Sequence, residues 1–336
     1  MAVQSNPTPR SPRLPLALLC ALGLCLALSG LTWLGCQLRM PARPHTLLVL
    51  GDSILAGYRM AKGSRFQDWL ERELGPDWSA VNVAAPASQP GDYYLQLAQA
   101  ELLGVKPEVV IIGLTPHKLV PETEHAPRLA EDGVNLRWLP LTREGLRFYR
   151  SLDPGLQRST WVYKAGLAFG FWDALRLLWL EQVEWPFNRY QRAHRRPEQR
   201  REWIAGKARE LDLRWQHVDA ELAGLRARST REVADLTFLV EALRARHVRV
   251  LAVMPPGFHT GVYQSLSAST LTNLSQAYRE TLALCSDLGI EVLDFNRPPE
   301  RERFLPAQWD DLQHLRAPEC FRRMAHAVQQ VLGVRV

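Results

Sequence analysis

Ser53, Asp311 and His314 are the residues of this chain whose types and order suit covalent chemistry. Ser53 closes the run TLLVLGDS (46 to 53), in which an apolar segment ends abruptly on Gly51-Asp52-Ser53. A serine hydroxyl is a weak nucleophile until a base takes its proton. The chain has nine histidines, and His314 is the best placed. It lies in WDDLQHL (309 to 315), after the last apolar strand pattern and before the final helical one. Asp311 stands three residues earlier. On a turn, that spacing lets a carboxylate orient the imidazole and fix the tautomer that accepts a proton. Asp310 is the alternative to Asp311. Such a trio performs acyl transfer: the hydroxyl attacks an ester carbonyl, an acyl-serine forms, and water or another hydroxyl resolves it. The plain alternative for Ser53 is a strand that stops and a helix that is capped. D-x-x-H alone is common by chance and gains weight only from the order Ser, Asp, His.

The elements that must position these residues are legible as an alternation. TLLVLG (46 to 51), SAVNVAA (79 to 85), EVVIIGL (108 to 114), VRVLAVMPP (248 to 256) and IEVLDF (290 to 295) are short and rich in Val, Ile and Leu, without clean polar alternation. That is the pattern of strands buried on both faces, as in a parallel sheet. Helical patterns lie between them. SRFQDWLERELG (64 to 75) and LTNLSQAYRETLALCSDLG (271 to 289) end on glycine, as helices often do. GDYYLQLAQAELLG (91 to 104) follows the second strand, and PECFRRMAHAVQQVLG (318 to 333) closes the chain. Ser229 and Glu232 form a capping-box pattern opening the helix before the fourth strand. Strand and helix in turn predict a doubly wound α/β fold with a mainly parallel, five-stranded sheet. In such sheets reacting groups gather at the carboxyl ends of strands, where Ser53 falls.

Two regions stand apart. Residues 120 to 246 break the rhythm and predict a mostly helical insertion or cap between the two parts of the sheet domain, 45 to 119 and 247 to 336. Its stretch 159 to 187 is dense in Trp and Phe, and 189 to 203 is strongly basic. The first reads as a buried cap, or as a surface for membrane or an acyl or glycan groove. The second reads as a solvated helix face, or as a contact for anionic headgroups. Residues 14 to 38 carry no charge and at ~1.5 Å per residue are long enough to cross ~30 Å of hydrocarbon. They predict an uncleaved transmembrane signal anchor behind a short cytoplasmic tail, 1 to 13. Arg10 and Arg13 favour that orientation, while Arg39 and Arg43 on the other flank weaken it. Cys36 offers a lipoprotein cysteine as the alternative. The globular part is then expected outside the inner membrane, in a periplasm-like space. Cys285 and Cys320 are expected as buried thiols, although an exported domain permits a disulfide.

Composition narrows the class. The chain has 336 residues, 46% hydrophobic, with a net charge of +6, ample for a full core and only mildly basic. No phosphate loop, CxxC pair or HExxH is present. The expectation is therefore no metal, no cofactor and no nucleic-acid partner.

Taken together, VLGDSILAGY and DLQHL at opposite ends of an α/β chain resemble the first and last blocks of the GDSL/SGNH hydrolase superfamily. VNVAAPASQ (81 to 89) resembles its second block, and PEVVIIGLTPHKL (107 to 119) its third, a strand leading to Gly-x-Asn-Asp. The resemblance covers 45 to 119 and 247 to 333. It implies an SGNH-hydrolase-like, flavodoxin-like three-layer fold, with Ser53 as nucleophile, His314 as base and Asp311 as its orienting acid. Asp52 supports the nucleophile. The oxyanion donors would be the N–H of Ser53, that of Ala87 (or Gly91) in place of the second-block glycine, and His117 in place of the third-block asparagine. His117 is the departure from the pattern. An asparagine amide always donates, whereas a neutral histidine donates from only one ring nitrogen. The resemblance implies an esterase or O-acyltransferase acting on acylated, chiefly acetylated, envelope glycans, with a membrane-bound acyltransferase as a candidate partner. The alternatives are a binding or scaffold protein that has lost catalysis and a lipid-acting esterase.

Overall fold

The five apolar runs assemble as five parallel strands. β1 is His45–Leu50, β2 Trp78–Asn82, β3 Val109–Gly113, β4 Arg249–Met254 and β5 Glu291–Asp294. In the computed structural model, which describes residues 43–57, 60, 63–84, 88–102, 104–115, 197–215, 231–305, 308–309, 315 and 317–334, their order across the sheet is β2-β1-β3-β4-β5. Every neighbouring pair is parallel. This is the flavodoxin-like order, with the winding reversing between β1 and β3. The strand limits match the sequence expectation to within a few residues.

Alternation along each strand feeds two cores. Leu47, Val49, Val109, Ile111, Leu251 and Val253 join one cluster with helix α1 (Phe66–Leu74) and the last helix, α8 (Pro318–Leu332). There Phe66, Leu70 and Leu74 meet Phe321, Met324, Ala325 and Val328. Leu48, Leu50, Val110, Ile112, Ala252 and Met254 are equally buried. Helices α2 (Pro90–Leu102) and α4 (Arg231–Arg244) pack on each other, and reach β1 and β4 respectively. Tyr93, Tyr94, Leu97 and Ala100 of α2, and Leu236, Leu239, Val240 and Leu243 of α4, are all buried. Each such leucine or valine contributes roughly 1.5–3 kcal/mol when fully buried. The helix ends follow from the sequence. α1 stops at Gly75, the long helix α6 (Ala268–Asp287) is followed by Gly289, and α8 ends on Gly333 in the left-handed conformation. Ser267 caps α6 by accepting from Thr270 N–H.

Within the stretch expected as an insertion, the described residues include two kinds of helix. α4 lies within 120 to 246 but belongs to the sheet layer, as the crossover helix into β4. α3 (Pro197–Trp215) lies outside that layer. Its Ala208, Leu211 and Trp215 pack with Phe258, Val262 and Leu266, around the short helix α5 (Thr260–Ser265) that follows β4. The basic run therefore ends in a helix with one apolar face, bearing Trp203 and Ile204 on the same cluster, while Arg201 and Glu202 are exposed. The Trp- and Phe-rich stretch 159 to 187, the capping residue Ser229 and the expected anchor, 14 to 38, lie outside the described residues. Among the described residues no helix is long and apolar enough to cross a membrane.

Cys285 and Cys320 are free, buried thiols, so the permitted disulfide is not formed. Burial pushes each thiol up to about 12; beside Cys320 the Glu319 carboxylate adds to the rise and Arg323 opposes it. Unfolded thiols ionise near pH ~8.5. The stability tied to keeping these two protonated is thus complete below that pH and drains away as the pH climbs toward 12. Native protein at pH 8 should leave both unalkylated over minutes, with peptide mass spectrometry finding both modified after unfolding. The urea midpoint should fall between pH 8 and pH 10. Rapid native alkylation of either cysteine would contradict this burial.

Candidate active site

The serine turn is held from beneath by a side chain that the sequence pattern does not advertise. Beyond Leu50 the chain leaves the β1 ladder, and Gly51 must pair its backbone elsewhere. Gln96 of α2 supplies both partners. Gly51 N–H donates to Gln96 Oε1 at 2.9 Å, and Gln96 Nε2 donates to Gly51 O at 3.0 Å. The same Nε2 donates to Ser88 Oγ at 2.8 Å. Gln96 is 4% exposed and Ser88 fully buried. Gly51 has φ +154°, outside the range that L-residues adopt readily, and its Cα side lies against Gly113 at the end of β3.

Asp52 then starts a single helical turn. Its Oδ1 accepts from Ile54 N–H at 2.9 Å, and its carbonyl accepts from Ala56 N–H at 2.9 Å. Both the capping and the nucleophile readings of this stretch meet here: Asp52 does the capping, and Ser53 occupies the first position of the turn. Asp52, Ile54 and Leu55 are buried, whereas Ser53 is partly exposed. Leu55 seats the turn on the core at zero exposure. Asn82, at the end of β2, donates from Nδ2 to Leu55 O at 2.8 Å and accepts from Ala84 N–H at 3.0 Å. Asn82 is thus a structural tie between the β2 loop and the serine turn.

Tyr93 completes the frame. Its hydroxyl donates to Gly113 O at 2.8 Å. Burial, followed by the charges of Asp52 and Asp92, holds its pKa well above the usual tyrosine range. It therefore remains a neutral donor at physiological pH. α2 in this way grips both strand ends that flank the switch point, β1 through Gln96 and β3 through Tyr93.

The other expected residues stand as follows. Asp311, His314, Ala87 and His117 lie outside the described residues, as does Asp310, but their immediate neighbours do not. Ser88, next to Ala87, is hydrogen-bonded to the glutamine that holds Gly51. Trp309 and Leu315, each 2% exposed, form an antiparallel bridge on either side of the stretch that includes Asp311 and His314 in sequence. Gly91 is accounted for otherwise: it sits in the first turn of α2, where a Cβ would come within 2.5 Å of Asp235 Oδ2 on α4. Its lack of a side chain serves helix packing. β3 ends on Gly113, so a Gly-x-Asn-Asp count begun there reaches Thr115 at its third place, two residues before His117.

A histidine absent from the sequence argument borders this edge. His259 follows β4, is 4% exposed, and its Nδ1 accepts from Gly261 N–H at 2.9 Å. That bond fixes the proton on Nε2. Its ring meets Trp309 edge-on at 6.0 Å between centroids. The signal for Gln96 was present but easily missed: it falls three residues after Tyr93 and four before Ala100, on the buried face of α2. Among the described residues no group of His, Cys, Asp and Glu could hold a metal ion.

The chain is similar in its course to G-D-S-L family structures. One is a member of the lipolytic protein G-D-S-L family from Veillonella parvula, with 10% identity and a TM-score of 0.42, covering 86% of this chain and 98% of that one. Another is the lipase/acylhydrolase from Enterococcus faecalis, with 13% identity and a TM-score of 0.40 over 86% and 96% of the two chains. A third is a carbohydrate acetylesterase from Sinorhizobium meliloti, with 12% identity and a TM-score of 0.38 over 86% and 98%. No family model matches the chain, and no curated protein matches it. At this identity the site is understood through the chain's own residues.

Gln96→Leu keeps the volume of the side chain and removes its polar end. It leaves the N–H and C=O of Gly51 buried without those partners, at roughly 1–3 kcal/mol for each group. The variant should lose roughly 2–5 kcal/mol in urea unfolding. A variant as stable as the wild type would show that the serine turn is held by other contacts.

Proposed function

We propose that this chain is a serine esterase or O-acyltransferase of the SGNH type, acting on acetyl esters of cell-envelope glycans through an acyl-Ser53 intermediate. The observation that carries the reading is Ser53 itself. It is partly exposed on a turn whose neighbours are buried, at the carboxyl end of β1, beside the switch point of a parallel sheet. A serine that merely capped a helix would not need the flanking glycine, Gln96 and Asn82 to hold it there, and the capping is done by Asp52.

In this mechanism Ser53 Oγ attacks the carbonyl carbon while His314 takes its proton and Asp311 holds the imidazole in the accepting tautomer. Negative charge on the former carbonyl oxygen is met by N–H groups of Ser53 and Ala87 and by His117. The tetrahedral species collapses, the alcohol leaves with the proton from His314, and an acyl-serine remains. Water then gives hydrolysis; a sugar hydroxyl gives transfer. α3 packs over the β4 loop at the carboxyl edge, a position from which it would favour transfer by restricting water. The anchor at 14 to 38 would keep the enzyme on the outer side of the inner membrane, close to nascent glycan and to a membrane-bound acyl donor system.

The test is labelling of the full-length protein in detergent with a fluorophosphonate probe, read by intact mass, alongside acetate release from p-nitrophenyl acetate. Wild type should add one probe and Ser53→Ala none. His314→Ala and Asp311→Asn should each lower kcat by about 10⁴-fold, while Asp310→Asn stays near wild type. Folded wild type that neither labels nor turns over ester would overturn the enzyme reading and favour a binding protein of the same envelope system. Strong preference for long acyl chains would favour the lipid-acting alternative.

A further inference from the structure

Thr115 stands out among the buried polar groups of the sheet edge. It is 2% exposed, and its Oγ1 is buried with no hydrogen-bond partner among the described residues. A buried hydroxyl without a partner costs roughly 1–3 kcal/mol, so such groups are rare and call for a reason. The position supplies one. The β3 ladder extends to Leu114, whose N–H donates to Val253 O at 3.0 Å; Thr115 is the next residue, at the carboxyl end of the strand. Gly51 and Gly113 touch across the β1–β3 pair. Counted from that contact, Ser53 and Thr115 are each two residues further on. The nucleophile and the orphan hydroxyl thus leave adjacent strand ends on the two sides of the switch point.

Two neighbouring backbone donors are not on offer here. Pro116 has no N–H. Leu114 N–H is consumed by Val253. The Thr115 hydroxyl is a donor in hand at this strand end, in addition to those of the mechanism above, and a hydroxyl can rotate its hydrogen toward whatever acceptor arrives.

We infer that Thr115 is a catalytic residue whose hydroxyl donates a hydrogen bond to the oxyanion formed when Ser53 attacks its ester. This rests on the serine-esterase reading above. The hydroxyl has no partner among the described residues of the resting protein because its partner exists only during the reaction. No bond to Thr115 forms or breaks; charge on the carbonyl oxygen rises on attack, is met by Thr115 O–H together with the backbone donors, and falls again as the alcohol departs. Stabilisation present only in the transition state raises kcat and leaves KM little changed.

Thr115→Val replaces the hydroxyl by a methyl of similar size, and Thr115→Ser keeps the donor. In the full-length protein with p-nitrophenyl acetate, Thr115→Val should lose 10²–10³-fold in kcat, the range for one oxyanion donor. KM should stay within a few-fold. Its fluorophosphonate labelling should slow in parallel, because the phosphonyl adduct presents the same oxygen. Its melting temperature should be equal to or above wild type, since an unsatisfied polar group has been removed. Thr115→Ser should recover kcat to within about tenfold of wild type. Thr115→Val turning over like wild type, or Thr115→Ser as slow as Thr115→Val, would overturn the role of Thr115 while leaving the esterase intact. Wild type that neither labels nor turns over would overturn both, and Ser53→Ala alongside tells the two failures apart.

Discussion

The carboxyl edge of this sheet depends on one pairing, the primary amide of Gln96 against the backbone of Gly51. A parallel strand that ends inside a protein has an accounting problem: its next N–H and C=O have left the ladder but have not reached water. Here a side-chain amide imitates a neighbouring strand for one residue, giving acceptor to the N–H and donor to the C=O. The chain can then turn sharply at Gly51 without leaving orphans. Everything downstream follows from that turn: the Asp52 cap, the seat of Leu55, and the partly exposed Ser53. A third bond from the same amide, to Ser88, draws the β2 loop to the same point.

The pairing works only because two backbones come very close. Gly113 has no side chain, and the Cβ it lacks would lie 2.7 Å from Leu55 Cδ1. Leu55 fills that space, and Tyr93 closes the other side by donating to Gly113 O. Helix α2 thereby fixes the ends of β1 and β3 relative to each other with two polar side chains one turn apart. Side chains on consecutive turns of a helix share a face, so a single rigid element sets the geometry of the gap. That placement suits catalysis by preorganised dipoles, where small displacements carry large penalties in rate.

Much of this fold was legible in the chain. Unbroken Val, Ile and Leu runs identified all five strands, because a strand covered on both faces has no polar alternation to confuse with loop. Terminal glycines at 75 and 289 located two helix ends. The strand end bearing Ser53 followed from GDS alone. The support beneath it did not. Gln96 reads as an ordinary helical polar residue unless its register with Tyr93 and Ala100 is noticed, and His259 reads as a loop histidine until its Nδ1 is seen accepting from Gly261. The helix counted at the end of the insertion is a related case: α4 carries the mixed pattern of a crossover helix, and its contact with α2 and β4 assigns it to the sheet layer. The third block shows the same limit. One-dimensional spacing set the third-block asparagine on His117, which lies outside the described residues, and a count begun at the strand terminus Gly113 has Thr115 at its third place.

The remaining constraint joins the two distant parts of the chain. The Trp309–Leu315 bridge flanks the stretch that includes Asp311 and His314, and Trp309 is buried against the ring of His259 at the end of β4. His259 is itself oriented by the N-terminus of α5, on which the insertion helix α3 packs. A chain of contacts therefore runs from α3, through α5 and His259, to Trp309. On the opposite side, α2 runs to the serine turn. Under the proposed mechanism the nucleophile and its base belong to different parts of the chain, which pair along β3 and β4 and through the helix contacts of α1 with α8 and of α2 with α4. The described insertion helix, α3, packs on α5 and α6, beside the part that carries the base. Under that mechanism a change in α3 would reach the site first through His259 and Trp309, on the side of proton transfer.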